Sequence, residues 1–136
     1  NEGAPEALGT LAARGYQILY LTARPDWLTT RTHEWTREVG LPDGLVHTTL
    51  GGTGALGSAA AAFKAEELME LTDRLGMPIS AAIGNKESDA EAYLAAGIAP
   101  EGRLLYQLDG DAMGGIVFDD YRDLVEPFRG FPLQCR

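Results

Sequence analysis

Apolar and polar positions along this chain switch repeatedly between a helical period and short apolar runs, and glycine or proline marks most of the switch points. Residues Ala4 to Arg14 carry a helical pattern, with Pro5 in the first turn and Gly15 as the stop. Tyr16 to Leu21 is rich in β-formers and predicts a short buried strand. Pro25-Asp26 then opens a helix to about Val39, ended by Gly40 and the turn Leu41-Pro42-Asp43-Gly44. Leu45 to Leu50 predicts a weaker strand, followed by a glycine-rich loop from Gly51 to Gly57. An alanine- and glutamate-rich helix lies within Ser58 to Leu75, closed by Gly76 and Pro78. Ile79 to Ile83 predicts a third strand, and Ser88-Asp89-Ala90-Glu91 has the pattern of a capping box opening a helix that Gly97 ends. Arg103 to Leu108 and Ile116 to Phe118 read as strands joined in a hairpin through Asp109-Gly110. A last short helix runs from about Asp120 to Pro127.

Strands alternating with helices predict an α/β fold: three layers, Rossmann-like, with a mostly parallel sheet covered on both faces. At 136 residues the chain fits one domain spanning 1–136, without internal repeat or low-complexity linker. The tail from Phe128 to Arg136 reads as a cover over the sheet. A net charge of -9 leaves no basic stripe to displace phosphate counterions, which excludes a general nucleic-acid binder. The same acidity opposes anionic lipid, so a peripheral membrane contact has to be local or come from sequence outside these residues. One cysteine, Cys135, rules out an internal disulfide, which slightly favours the cytoplasm over the periplasm or secretion without fixing the compartment. No apolar run approaches the roughly 20 residues that span a bilayer. A chain opening on Asn1 rather than Met suggests a processed or truncated start.

The segment Ala81-Ala82-Ile83-Gly84-Asn85-Lys86-Glu87-Ser88-Asp89 carries the clearest chemistry. An apolar run stops at a glycine, and an amide and a carboxylate follow four residues apart as a helix begins. An α/β fold presents metal and phosphate ligands in this way at the carboxyl edge of a parallel sheet. Thr22, ending another apolar run, can donate its hydroxyl to a phosphoryl oxygen from a strand tip. Arg24 can fork onto a phosphate or head group or pair with Asp26, and Lys64, read alone, is a solvated helix charge. Asn85 and Asp89 offer oxygen donors to Mg²⁺.

From Gly15 to about Leu108 the order and spacing resemble the C-terminal catalytic domain of the lipin-type phosphatidate phosphatases of the haloacid dehalogenase superfamily. The residues that carry this are Tyr16 to Pro25 with Thr22-Ala23-Arg24, Leu41-Pro42-Asp43-Gly44, Phe63-Lys64, and Ala82-Ile83-Gly84-Asn85 with Asp89, Tyr93 and Gly97. The resemblance implies a Mg²⁺-dependent phosphatase acting on a phosphomonoester, with phosphatidate as the leading substrate. It assigns Thr22 and Lys64 to catalysis, Thr22, Arg24 and Lys64 to the phosphate, and Asn85 and Asp89 to the metal. Family members also carry Asp-x-Asp-x-Thr/Val at the end of a first, central strand. This chain begins after that motif, so the expectation is a fragment whose first central strand and nucleophilic aspartate lie upstream. The alternative within the same resemblance is a domain without the nucleophile, which binds phosphatidate but does not hydrolyse it.

Other motifs have plainer explanations. Asp109-Gly110-Asp111 mimics the missing Asp-x-Asp, but Asp-Gly between strands marks a turn and Met113 stands where Thr or Val belongs. Gly52-Thr53-Gly54-Ala55-Leu56-Gly57 fits a dinucleotide fingerprint, yet Gly84 and Asn85 occupy the place of the ribose-binding acid, so a loop is expected. His33 and His47 lack ligand spacing, Cys135 lacks a triad context, and Trp27 and Trp35 are expected to pack a helix onto the sheet.

Overall fold

All strand pairs among the described residues of the computed structural model are parallel. It describes residues 1–25, 29–49 and 57–135, and among these the side chains of residues 23–25, 29, 49 and 75 are left out. The order is α1 (Ala4–Ala13), β1 (Leu19–Pro25), α2 (Thr29–Glu38), β2 (Leu45–Thr49), α3 (Ser58–Leu75), β3 (Ala82–Gly84), α4 (Glu87–Ala95), β4 (Arg103–Tyr106), β5 (Ile116–Phe118) and α5 (Val125–Arg129). The mixed α/β order is compatible with a Rossmann-like fold. Among the described residues the strands form two sheets, β1-β2 and β3-β4-β5. They belong to two compact units, Asn1–Gly52 with Asp120–Arg136, and Thr53–Asp119.

In the first unit, α1 buries Ala4, Ala7 and Leu11 on one face, the spacing of a helical stripe. That face packs against α5 and the 3-10 turn Tyr121–Leu124, where Leu124, Val125 and Phe128 are buried. The last residues are built into this unit. Arg14 Nε donates to the Phe131 carbonyl at 2.6 Å, and the Gln134 amide donates to the Arg14 carbonyl at 2.9 Å. Gly15 permits the approach: a Cβ there would sit 2.6 Å from the Gln134 carbonyl oxygen. The tail therefore lies against the end of α1, not as the expected cover over a sheet. Tyr16 is drawn into this contact, ringed edge-on by Phe131, and β1 begins only at Leu19.

β1 pairs with β2 from Leu19↔Leu45 to Pro25↔Thr49, with an irregularity between Leu21 and Pro25. Tyr20 crosses to the turn before β2, its hydroxyl donating to the Pro42 carbonyl at 2.7 Å. Burial, followed by the charge of Asp43, pushes the phenol up from 10.0 to about 12. A raised folded-state value favours the neutral phenol, so this stabilisation is complete below pH 10 and is lost as pH rises from 10 to about 12. Melting temperature should fall more steeply over that window in the wild type than in Tyr20→Phe, which lacks the titrating group. Parallel curves would refute the coupling. Trp35 of α2 does not pack as expected: it is 52% exposed, and Thr36 is the buried residue of that helix among those described.

In the second unit, α3 turns Ala60, Ala61, Ala65 and Leu68 inward and α4 turns in Ala90, Ala92 and Tyr93. The two helices pack on each other, and small side chains allow their backbones a close approach. Against α4 lie β3 and β4, with Leu105 fully buried. The expected β4-β5 hairpin is a parallel pair, Leu104↔Ile116 to Tyr106↔Phe118. Asp109-Gly110 is not a two-residue hairpin turn. Positive φ at Gln107, Gly110, Met113 and Gly114 folds the connection back along β4, so β5 enters in the same direction.

Candidate functional site

β3 is only three residues long and delivers Gly84 and Asn85 directly to the start of α4. The cap of α4 differs from the sequence pattern. Lys86, not Ser88, is the N-cap residue, and Asp89 occupies the third helical position. Asp89 Oδ2 accepts from the Asn85 amide at 2.9 Å and from the Lys86 amide at 3.1 Å. A carboxylate there satisfies N–H groups that have no intrahelical partner and meets the positive end of the helix dipole. Gly84 makes room for it, since a Cβ at that position would lie 2.5 Å from Asp89 Oδ2.

The other oxygen of Asp89 is the centre of the site. Oδ1 accepts a hydrogen bond from Lys64 Nζ, and the two side chains form an ion pair that is 15% and 6% exposed. Lys64 projects from the second turn of α3, the helix packed on α4, which brings residues 25 apart into contact. An ammonium group has three donors. One is used by Asp89, and among the described residues the other two have no protein acceptor. The arrangement is therefore a cation held rigidly by its counter-charge with hydrogen-bonding capacity left over, which suits an oxyanion such as phosphate.

Asn85 stands beside this pair, exposed, and its side-chain amide has no hydrogen bond among the described residues. It is free to offer one neutral oxygen. Asp89 is not similarly free: Oδ2 serves two amides and Oδ1 serves an ammonium whose charge repels a metal ion. Among the described residues no group of three or more His, Cys, Asp or Glu is placed to hold a metal. These donors do not by themselves complete a magnesium site, which prefers near-octahedral oxygen coordination.

Lys64, Asn85 and Asp89 are thus brought together within the second unit. Thr22 belongs to the first unit and lies inside β1, which continues to Pro25, so it is not at a strand tip. The Arg24 side chain, Trp27 and the loop from Gly51 to Leu56 fall outside the described residues. Asp111 behaves as a turn residue, its Oδ1 accepting from the Met113 amide at 2.7 Å. Glu87 is a contact that the sequence did not signal beyond its acidic place in the first turn. Its Oε1 accepts from the Asp111 amide at 2.9 Å and fixes the β4-β5 connection against the start of α4. His33 and His47 are both exposed.

Residues 1–105 match a family model described as PITM 1-3, LNS2 domain. No curated protein matches the chain.

Proposed function

The chain belongs to the LNS2 domain family, whose domains are lipin-like and related to phosphatases of the haloacid dehalogenase type, and from that premise we propose that it is a phosphomonoester-recognition domain. The ligand's phosphate group is received by Lys64, and phosphatidate is the leading candidate. The observation that carries this is the ammonium of Lys64, tied to Asp89 by one donor with two others uncommitted among the described residues. A phosphate oxygen entering there gains charge-assisted hydrogen bonds from a group whose ordering cost is already met by the fold. Asp89 acts as the positioning residue. Asn85 adds a polar contact at the edge of the same turn, and Thr22 and Arg24 are assigned to the phosphate by resemblance alone.

Binding without turnover is one form of this reading, in which Asp89, with both oxygens engaged, holds Lys64 in place for the phosphate. The family's relation to phosphatases favours a second form, in which an aspartate upstream of Asn1 forms an aspartyl-phosphate with Mg²⁺ present. Asn85 is the residue described here that suits such an ion.

Vesicles of phosphatidylcholine with and without phosphatidate, sedimented with the protein in the presence and absence of Mg²⁺, separate these forms when released phosphate is measured in parallel. Retention on phosphatidate vesicles with no phosphate release supports recognition alone. Release that requires Mg²⁺ supports catalysis. Lys64→Met should lower retention at least about tenfold, the effect of losing roughly 1.4 kcal/mol of charged hydrogen bonding. Equal retention by wild type and Lys64→Met would remove Lys64 from the site.

A further inference from the structure

Arg103 opens β4 at the amino end of the strand, and its side chain is almost wholly buried, with 5% of the residue exposed. Lys64 and Asp89 meet beyond the opposite, carboxyl end of β3, so the two cations serve different edges of the same sheet. Nη1 of Arg103 donates to the Met113 carbonyl at 2.9 Å. Nε is shut off from solvent and has no hydrogen-bond partner, and no ion pair neutralises the guanidinium among the described residues. Burying a charge in this state is costly, and such groups are normally met by an acceptor or a counter-charge.

The unused donors share one edge. Nε and the outer Nη2 form the fork of a guanidinium that grips two oxygens of a carboxylate or phosphate. Two glycines lie beside this side chain, Gly114 near its outer end and Gly115 near its base. A Cβ at Gly114 would sit 3.6 Å from Nη2, and one at Gly115 would sit 3.2 Å from the Arg103 Cβ. No side chain is therefore interposed by these two residues.

We propose that the Nε–Nη2 edge of Arg103 is an oxyanion-binding site, taking a carboxylate or phosphate group in a two-point grip at the amino end of β4. One oxygen meets Nη2, and the second reaches Nε as the Gly114-Gly115 backbone yields. The anion neutralises the buried charge and supplies the acceptor that Nε lacks. Its source is either a small free anion or a carboxylate of another polypeptide segment.

The test is nuclear magnetic resonance of the arginine Nε–Hε groups in the 136-residue chain, with the Arg103 signal assigned through bonds from its own side chain. Inorganic phosphate, then acetate, is titrated in at ionic strength held constant with chloride. The expected result is a saturable movement of the Arg103 signal and slowing of its hydrogen exchange by about tenfold, the protection that one charge-assisted hydrogen bond gives. Saturation by phosphate alone assigns a phosphate site; saturation by acetate identifies a carboxylate receptor. Arg103→Lys, which keeps the charge without the fork, should lose the two-point grip and with it any anion-induced rise in melting temperature. The proposal is overturned by a signal that neither anion moves beyond the chloride control.

Discussion

Replacing Phe128 with alanine is expected to destabilise the first unit by about 4 kcal/mol, in the range for removing a buried aromatic side chain. Phe128 is 1% exposed and is among the largest fully buried side chains described. Its ring meets Phe131 edge-on at 5.4 Å, and Phe131 meets Tyr16 at 5.7 Å, so a series of aromatic contacts joins α5 through the tail to the end of α1. The lost term includes more than transfer of the ring from water. The Arg14 side chain on the Phe131 carbonyl and the Gln134 amide on the Arg14 carbonyl hold the tail, which limits collapse into the cavity left behind. Leu133→Ala is the control, because Leu133 is 71% exposed and its truncation should change stability by less than about 0.5 kcal/mol. Urea unfolding followed by tryptophan fluorescence measures both. A Phe128→Ala loss below about 1 kcal/mol would mean that the tail is not part of this core. The segment lies beyond residue 105, where the family match ends.

Asp89→Ala should cost about 3 kcal/mol and weaken phosphate retention together. Removing one member of a buried pair leaves an uncompensated charge, here the largely buried ammonium of Lys64, and typically costs 3–5 kcal/mol. The slight exposure of Lys64 places the expected value at the lower end. The same substitution deprives the Asn85 and Lys86 amides of their acceptor at the start of α4. Combining it with Lys64→Met should recover part of the loss, because the stranded charge is then absent. Additive losses in the double variant would show that the pair is not energetically coupled. Retention should fall in both single variants, since Lys64 without Asp89 loses its fixed position and Asp89 without Lys64 has no donor to offer.

The local pattern is strong enough to place α3 within Ser58 to Leu75 and β5 at Ile116–Phe118, because glycine, proline and a clear apolar run delimit them. It also brought out Asn85 and Asp89, since a strand ending in glycine ahead of a helix start is a local signal. Strand boundaries were less legible. β1 starts three residues later than the run of β-formers, as Tyr16 is engaged by the tail, a contact 118 residues away along the chain. The sense of the β4-β5 pair is not legible locally for a similar reason: Asp-Gly favours a turn, but contacts from Glu87 and Arg103 hold the connection.

Composition, periodicity and turn residues by themselves determined an α/β chain, its helices and the order of its candidate ligands. Those features depend on neighbours within a few positions. The partition of strands between two sheets, the capture of Lys64 by Asp89, and the buried fork of Arg103 were decided only by tertiary structure. Each depends on groups far apart in the chain, and on burial, which sets the strength of a charge interaction and is not a property of any local sequence pattern.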